Sequence, residues 1–441
     1  MCGKLIRVFL ILFNQLKSAL LIFFTLISPD ILIVSIKKNI FILIFSIKRM
    51  KIKKIEGKII LDSRKEKTIE VSVKSEAGVF IASAPEGKSK GKHEKPTFIF
   101  SVEDDIKTLS SLNLDINVNS FSELKKIEEI ARDRIGANTL FALETAVLKA
   151  LAFEQKKQLW QVINPEARKM PFPVGNVLGG GMHTAFVNGK KPDFQEFLVI
   201  PKAKKFSDCV FLMQKIHKNI GEILKERKVA GKLNDENAWA TSLSNGEVLE
   251  LLNEERKNIE NESGEKIEIG IDIASSSFYD GLYMYKNEEK NLSKDEQIEY
   301  VSELVNKFDI FYIEDPLNEE DFSGFKIFRE KNLGKCLIAG DDLTVTRPER
   351  FLKALKTGSV NAIIIKPNQN GSLIETRKIV EVAKKYEIAT IMSHRSGETM
   401  DYSIADLAFG FQTDFVKFGV AGKEREIKLK RMIEIERQVF G

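Results

Sequence analysis

The stretch Asp309–Pro316, with the sequence DIFYIEDP, decides the fold. Four apolar residues, from Ile310 to Ile313, run without a polar break and are followed by Glu314, a second acid and a proline. An unbroken apolar run is typical of a strand that is buried on both faces, and Pro316 ends that strand. The stretch therefore predicts a central strand with Glu314 at its carboxyl end, where (β/α) barrels carry their catalytic groups.

The same pattern recurs on both sides of that stretch. Other short apolar runs lead to a polar residue at the strand end, namely Asp272, Asp341, Lys366, Ser393 and Lys417. Segments with helical periodicity lie between the runs, as at Lys294–Lys307 and Ser372–Lys385. Strands that alternate with helices indicate βαβ units and a parallel sheet. Successive units that all end in a polar group predict a barrel with one polar mouth.

Composition limits the function classes. The chain of 441 residues is long enough for two domains, and its 43% hydrophobic and 30% charged content is that of a globular protein. The net charge of +5 arises in residues 1–49, which are rich in lysine and arginine. The remainder is close to neutral, so no nucleic-acid partner is indicated. The three cysteines form no spaced pair, which favours a reducing cytoplasm, and Cys336 is predicted to be a core residue.

Residues 1–49 differ from the rest of the chain. Their apolar blocks are each shorter than the roughly 20 residues that span a bilayer, and Pro29–Asp30 separates two of them. We interpret Met50 as the true start and the upstream residues as a mis-assigned extension of the reading frame. The alternative is an interfacial or re-entrant membrane anchor, and membrane contact is expected only in that case.

A separate domain is predicted over residues 50–170. Three strands are expected in succession, at Ile52–Ile60, Thr68–Val73 and Val79–Ala84. Helical periodicity then dominates from Ser120 to Ile163. A strand meander followed by helices is typical of an α+β unit. Pro171–Pro173 is interpreted as the linker into a barrel domain over residues 171–441.

Three carboxylates are candidates for a metal site. Asp272, Glu314 and Asp341 end three successive predicted strands. Neighbouring strands lie about 4.8 Å apart, so three like charges converge and raise one another's pKa unless they are compensated. A hard divalent cation compensates them, and ligation by oxygen alone favours Mg²⁺. For any one of these acids, a helix cap or a salt bridge is the alternative.

Two lysines and a polar tripeptide face the same predicted mouth. Lys366 and Lys417 end later strands. A lysine near a metal and other cations has a lowered pKa and can act as a base; the alternative is that each lysine neutralises the acidic cluster. His394–Arg395–Ser396 combines a cation, a forked donor and a hydroxyl, which suits the binding of phosphate or carboxylate.

Several motifs resemble the enolase family. They occur in the family's order, as LDSR at Leu61–Arg64, NVLGGGMH at Asn176–His183, IEDP at Ile313–Pro316, GDDLTVT at Gly340–Thr346 and SHRSGET at Ser393–Thr399. The resemblance runs from about Met50 to the carboxyl terminus. It implies an α+β N-terminal domain that caps an α/β (TIM-like, β/α) barrel of the enolase type, whose opening strands include an antiparallel pair.

The resemblance also implies an activity. Enolases are lyases (phosphopyruvate hydratases) that reversibly dehydrate 2-phospho-D-glycerate to phosphoenolpyruvate in glycolysis and gluconeogenesis. They are cytoplasmic, use two Mg²⁺ per active site and are usually homodimers or larger homo-oligomers. Two other readings stay open, a superfamily dehydratase or racemase acting on another carboxylate and a non-catalytic binding paralogue. The first would lack the pair Glu196/Glu236, and the second would be expected to have lost its metal ligands or Lys366.

Roles follow from the positions that match the family's motifs. Asp272, Glu314 and Asp341 match the ligands of the structural Mg²⁺, and Ser89 matches the mobile-loop serine that completes the second site. The catalytic set is Lys366 as the base, Glu236, assisted by Glu196, as the acid, and His183. The substrate contacts are His183, Glu196, Lys366, His394, Arg395, Ser396 and Lys417.

The loop Glu86–Gly91, which reads EGKSKG, departs from the family by carrying Lys88 and Lys90 beside the expected phosphate site. Outside the motifs, His217 lies between lysines on a predicted helix and is expected on a solvated face. Trp239 is expected either to line the pocket or to belong to the core.

Overall fold

The computed structural model describes residues 22–28, 31–36, 39–44, 50–88, 91–112 and 115–441. The chain separates into two compact units, residues 1–49 and 50–441. In the first unit, an antiparallel sheet is formed by β1 (Ile22–Ser28), β2 (Ile31–Ile36) and β3 (Asn39–Ile44). Among the helices of the described ranges, none is both long enough and apolar enough to cross a membrane. The interpretation of residues 1–49 as a mis-assigned extension stays a prediction.

The second unit begins with the predicted meander. Its strands are β4 (Met50–Lys51), β5 (Lys54–Leu61), β6 (Lys67–Lys74), β7 (Val79–Ser83) and β8 (Asn117–Val118), with β5, β6 and β7 paired antiparallel. The helices here are α1 (Val102–Ser111), α2 (Lys125–Ala131), α3 (Ala137–Glu154) and α4 (Leu159–Ile163). Alternate residues of β6, Ile69, Val71 and Val73, are buried, which gives the sheet the apolar face that packs on α3.

The rest of the unit contains the barrel. Its strands, with those beside it, are β9 (Phe172–Pro173), β10 (Gly175–Gly179), β11 (Glu196–Pro201), β12 (Ala230–Leu233), β13 (Trp239–Thr241), β14 (Ile267–Asp272), β15 (Tyr279–Asp280), β16 (Leu282–Tyr285), β17 (Lys290–Leu292), β18 (Ile310–Glu314), β19 (Leu337–Gly340), β20 (Ala362–Ile365), β21 (Ala389–Ser393) and β22 (Phe415–Lys417). The fold is therefore α+β followed by a (β/α) barrel, as predicted. The predicted strand ends from Asp272 to Lys417 are confirmed.

The sheet closes on itself. β9 pairs with β22, β10 pairs with β11, and a single residue, Val174, separates β9 from β10. β11 runs antiparallel to both of its neighbours, β10 and β14, whereas the pairs from β14 round to β9 are parallel. The antiparallel opening strands that the resemblance implied are thus present. Phe172–Pro173, interpreted as part of a linker, belongs to the barrel instead because it adds to the free edge of β22.

The helices of the barrel cover the strands. They are α5 (Phe206–Glu226), α6 (Asn245–Ser263), α7 (Lys294–Phe308), α8 (Phe322–Lys331), α9 (Pro348–Thr357), α10 (Pro367–Asn370), α11 (Leu373–Lys385), α12 (Ser403–Phe411) and α13 (Lys423–Phe440). The start of α7 shows why the sequence predicted it well. Ser293 accepts from the backbone N–H of Glu296, and the Glu296 side chain accepts from that of Ser293, which is a capping box.

One surface prediction is wrong. His217 lies on α5 but is buried, and its Nε2 is 2.8 Å from the carbonyl oxygen of Asn237. Its ring stacks on Trp239 with 5.8 Å between the centroids. The neighbouring lysines suggested a solvated face, but the loop before β13 packs on this turn of the helix. Cys336 is buried, as predicted.

Candidate active site

The carboxyl ends of the barrel strands bring three acids around one lysine. The strand register places Glu196 opposite Asp272 and Asp272 opposite Glu314. Lys417, at the end of β22, extends its Nζ to 2.8 Å from Glu196, 3.0 Å from Asp272 and 2.8 Å from Glu314. All four side chains are at least nine-tenths buried. The site therefore contains a compact group of fixed charges with little access to water.

Burial dominates the protonation of this group. Burial and the charge of Asp272 raise the pKa of Glu314 to about 8, although Lys417 acts in the opposite direction. Oε2 of Glu314 accepts from the Tyr312 hydroxyl at 2.6 Å. Its Oε1 is buried and has no hydrogen-bond partner among the described residues. Burial lowers the pKa of Lys417, but Asp272 and Glu196 raise it further, so this pKa lies well above its usual value.

Lys366 follows β20 and donates a hydrogen bond to Oδ2 of Asp341. Burial lowers the pKa of Lys366, but the Asp341 carboxylate outweighs burial and raises it to about 12. In return, Lys366 lowers the pKa of Asp341 against the effect of its burial. The expected lowering of the pKa of Lys366 refers to a lysine beside a bound metal and stays a prediction; in the described arrangement the lysine pairs directly with one predicted metal ligand.

A second group surrounds Glu236, which lies in the turn between β12 and β13. The Oδ1 atom of Asn234 accepts the backbone N–H of Glu236 at 2.9 Å and shapes this turn. Nδ1 of His183 lies 3.3 Å from Oε1 of Glu236, and Nε2 of His394 lies 3.6 Å from Oε2. Burial alone would raise the pKa of Glu236, yet His394 and His183 lower it well below its usual value.

The pKa of Glu196 is shifted in the direction opposite to that of Glu236. Burial and the neighbouring charge of Glu236 raise its pKa well above the ordinary range. The two glutamates thus have pKa values that are displaced in opposite directions, which is the usual mark of a divided acid and base role. Of the two carboxyl groups, Glu196 is the one that is more readily protonated.

The loop before α1 lies over Arg395 and Ser396. Nη2 of Arg395 is 3.0 and 3.1 Å from the two carboxylate oxygens of Glu94. The backbone N–H of Lys88 donates to Oγ of Ser396 at 2.8 Å, and Nζ of Lys88 is 2.6 Å from Oδ2 of Asp235. These contacts join the loop to Arg395 and Ser396 and also to the turn that carries Glu236. Ser89, the predicted ligand of the second metal, lies outside the described residues.

Most of the predicted site residues meet in one cavity. It is lined by His183, Glu196, Glu236, Asp272, Lys366, His394, Arg395, Ser396 and Lys417, together with Gly87, Gln195 and Ser393. Glu314 and Asp341 stand directly behind this lining, joined to it through Lys417 and Lys366. The cavity is ≈ 20 Å³, close to the room that one water needs. The loop at Gly87 forms part of the wall of this cavity.

The sequence did not single out Asp315 or Glu94 as site residues. The Asp315 carboxylate accepts the backbone N–H groups of Asp341 at 3.0 Å and Asp342 at 2.7 Å, and so fixes the turn after β19. Oxygens of Asp315, Asp341 and Asp342 lie within 4.8 Å of one another and could hold a metal ion. Asp315 could have been identified from the sequence, because it is a second acid directly after Glu314. Glu94 lies outside the loop Glu86–Gly91 that was compared with the family. Its contact with Arg395 forms only in the folded chain, so the sequence alone did not indicate it.

The donor set suits a hard divalent cation. The buried Oε1 of Glu314 lacks a partner and lies beside Asp272, and Asp341 adds a third carboxylate. These ligand atoms are all oxygens, the kind that Mg²⁺ prefers. Burial and Asp341 also raise the pKa of Asp342 to about 8, as expected for like charges held close together.

Comparison with known proteins agrees with the fold. Residues 167–440 match the family model of the enolase C-terminal TIM barrel domain. An enolase of Archaeoglobus fulgidus is 36% identical over 396 residues, covering 88% of this chain and 97% of that protein. An enolase of Picrophilus torridus is 36% identical, with 90% and 100% covered, and one of Sulfurisphaera tokodaii is 38% identical, with 88% and 95% covered. This chain belongs to the enolase family of hydro-lyases.

Proposed function

We propose that this protein catalyses the reversible Mg²⁺-dependent dehydration of 2-phospho-D-glycerate to phosphoenolpyruvate. One observation carries the proposal. A single buried cavity is lined by a lysine, Lys366, by a glutamate pair with displaced pKa values, Glu196 and Glu236, and by the donors Arg395 and Ser396. A base, an acid and an anion grip are the three groups that elimination of water from a phosphorylated hydroxy acid requires.

Metal ions complete the charge balance of this reaction. We assign Asp272, Glu314 and Asp341 as the ligands of the first Mg²⁺ and Ser89 as the protein ligand of the second. When bound, the ions supply positive charge where negative charge develops on the substrate carboxylate during proton removal. The pKa of Lys417 is raised, so this lysine stays positively charged beside the substrate carboxylate.

Lys366 is the proposed base. It removes the C2 proton in its neutral form, and its pairing with Asp341 keeps it protonated in the arrangement described above. Base function therefore requires that the lysine leave this carboxylate. Both side chains are mostly buried, with 15% of the Lys366 side chain and 12% of the Asp341 side chain exposed, and an unshared charge weighs heavily where little water reaches it.

Glu236 is the proposed acid, with Glu196 as its assistant. The pair carries one proton, which the shifted pKa values favour on Glu196, so Glu236 must receive it from Glu196 before acting as the acid. That proton leaves with the C3 hydroxyl as water. His183 and His394 contact Glu236 and hold its orientation, while Arg395 and Ser396 bind the substrate phosphate.

We further propose the cellular setting and assembly. The reaction belongs to glycolysis and gluconeogenesis in the cytoplasm, and the working unit is a homodimer or a larger homo-oligomer. We place the capping domain at residues 50–170 and the barrel domain at residues 171–441. Small phosphorylated acids, rather than nucleic acid, are the partners, and membrane contact is expected only if residues 1–49 belong to the protein.

The test is an absorbance assay for phosphoenolpyruvate, run with purified protein, 2-phospho-D-glycerate and Mg²⁺. We expect activity that a chelator removes and Mg²⁺ restores. Lys366→Ala is expected to abolish turnover with the fold intact, whereas Lys378→Ala, at an exposed lysine of α11, leaves it unchanged. An active Lys366→Ala variant would reject the assigned base, and turnover of a different carboxylate in place of 2-phospho-D-glycerate would reject the assigned substrate.

A further inference from the structure

The end of the barrel opposite the active site holds an ammonium group among phenyl rings. Nζ of Lys202 lies 4.2 Å from the ring centroid of Phe172, 4.5 Å from that of Phe311 and 4.7 Å from that of Phe415. Lys202 follows β11, which runs against its neighbours. Its carboxyl end therefore lies at the amino-terminal end of the parallel strands, where these three phenylalanines occur.

The Lys202 ammonium has no counter-ion among the residues that the structure describes. Among the described residues, none accepts a hydrogen bond from its Nζ or forms an ion pair with it. The acids nearby are already engaged: Glu268 pairs with Lys266 at 2.6 Å and Asp414 with Lys169 at 2.6 Å. Aromatic faces attract a cation, but they carry no charge to neutralise it.

The group opens into a cavity of ≈ 410 Å³, within the size range of small-molecule sites. Part of the wall is apolar, formed by Leu337, Ile388 and Ala389 beside the phenyl rings. At the rim, Lys384 donates to the carbonyl oxygen of Phe411 and the Glu387 side chain is exposed. The lining thus combines one uncommitted cation with an apolar surface.

The protonation of Lys202 agrees with this geometry. Burial lowers the pKa of Lys202 to about 8, although the charge of Glu268 acts in the opposite direction. The neighbouring thiol of Cys209 has a pKa of about 12, raised by burial, and is neutral. A bound anion would neutralise the positive charge of Lys202 and would keep its amine protonated.

We propose that this cavity binds a small monocarboxylate with a flat apolar body. The carboxylate pairs with Nζ of Lys202, and the body packs against Leu337 and Ile388. A single negative charge fits because Lys169 is paired with Asp414 and Lys384 is held at the rim by the carbonyl oxygen of Phe411, whereas the Nζ of Lys202 has no acceptor among the described residues. The site is separate from the proposed catalytic residues and does not depend on the proposed reaction.

The test uses benzoate as the probe and isothermal titration calorimetry on the full chain. We expect benzoate to bind, and Lys202→Met to weaken binding by about tenfold or more, the usual effect of losing a charge-assisted hydrogen bond. Lys169→Met, which removes a paired lysine of the same cavity, is the matched control and should change affinity by less than about threefold. Neutral benzamide should not bind, and inorganic phosphate should bind more weakly than benzoate.

A pH series distinguishes this site from non-specific binding. Affinity for benzoate should fall as the pH rises through about 8, where Lys202 loses its proton. Both variants should keep the wild-type fold and turnover, since Lys202 lies at the other end of the barrel from Lys366. The proposal is overturned if benzoate does not bind, if it binds Lys202→Met as tightly as wild type, or if benzamide binds equally well.

Discussion

The carboxylate of Glu94 lies on the guanidinium of Arg395, with both of its oxygens within 3.1 Å of Nη2. The same carboxylate also accepts from the backbone N–H of Gly91 and from Nε2 of Gln369, each at 3.3 Å. Glu94 thus occupies the Nη2 donor of Arg395. The proposed substrate phosphate would compete with Glu94 for this donor.

Removal of this competing charge should favour substrate binding. We expect Glu94→Gln to lower the KM for 2-phospho-D-glycerate several-fold, by about 1 kcal/mol of binding free energy, with kcat little changed. Steady-state kinetics measure both constants. Glu129→Gln, at an exposed position of α2, is the control. A raised KM in Glu94→Gln would show instead that Glu94 orients Arg395 for binding.

Lys417 should be essential for the stability of the metal-free site. Lys417→Met leaves Glu196, Asp272 and Glu314 without their shared cation, and loss of one partner from a buried ion pair typically costs about 3–5 kcal/mol. Denaturant unfolding in a chelator should show a loss of that size, and added Mg²⁺ should restore part of it. Lys430→Met, on the exposed side of α13, should have no such effect. Equal stability of the two variants would contradict the described arrangement.

Gly87 should be required for activity rather than for folding. A Cβ atom at this position would stand 2.0 Å from Nη2 of Arg395, so Gly87→Ala must displace either the loop or the guanidinium. We expect a loss of kcat/KM of about a hundredfold, as for a misplaced substrate-positioning group, with the thermal unfolding midpoint unchanged. Gly246→Ala, where a Cβ meets nothing within 4 Å, is the control. Wild-type kinetics in Gly87→Ala would show that the loop does not approach Arg395 during turnover.

Glu144 should make stability fall with rising pH. It is fully buried on α3, where its Oε2 accepts the backbone N–H of Leu373 at 2.7 Å. Burial and the nearby Glu128 raise its pKa well above the usual value. Above a pH of about 4.3, the unfolded chain loses this proton while the folded chain keeps it. The free energy of unfolding therefore falls by up to about 1.4 kcal/mol per pH unit until the folded-state pKa is passed.

Glu144→Gln should remove this part of the pH dependence. The amide oxygen can still accept from Leu373, so the variant should gain stability relative to wild type between about pH 5 and about pH 8. Urea unfolding across this range provides the measurement, with Glu129→Gln as the exposed control. Parallel profiles for wild type and Glu144→Gln would contradict a protonated Glu144.

Much of the barrel could be predicted because each strand repeats one physical rule. Buried parallel strands have no polar face, so Ile310–Ile313 and the similar runs stand out in the sequence, and the polar residue that follows marks the mouth. The place of Glu196 was harder to see, because it begins β11 instead of ending it. Its assignment depended on the resemblance to enolases.

Pairings within the site could not be predicted in the same way. The sequence indicated that Lys366 and Asp341 face one mouth, but it did not indicate that they bond to each other and so raise the pKa of the lysine. His217 was misplaced for a similar reason, since its burial depends on Asn237 in a distant turn. Such contacts depend on three-dimensional packing between elements that are far apart along the chain.

The reversed direction of β11 makes part of the site sensitive to insertions. Glu196 faces the cavity because it is paired with Asp272, and neighbouring residues of a strand point to opposite faces. A slip of one residue along β14 would turn Glu196 outward and bring Phe197 to its place. An extra residue in the long connection before β11 can loop out harmlessly, whereas one inside β11 would replace a proton carrier with a phenyl ring.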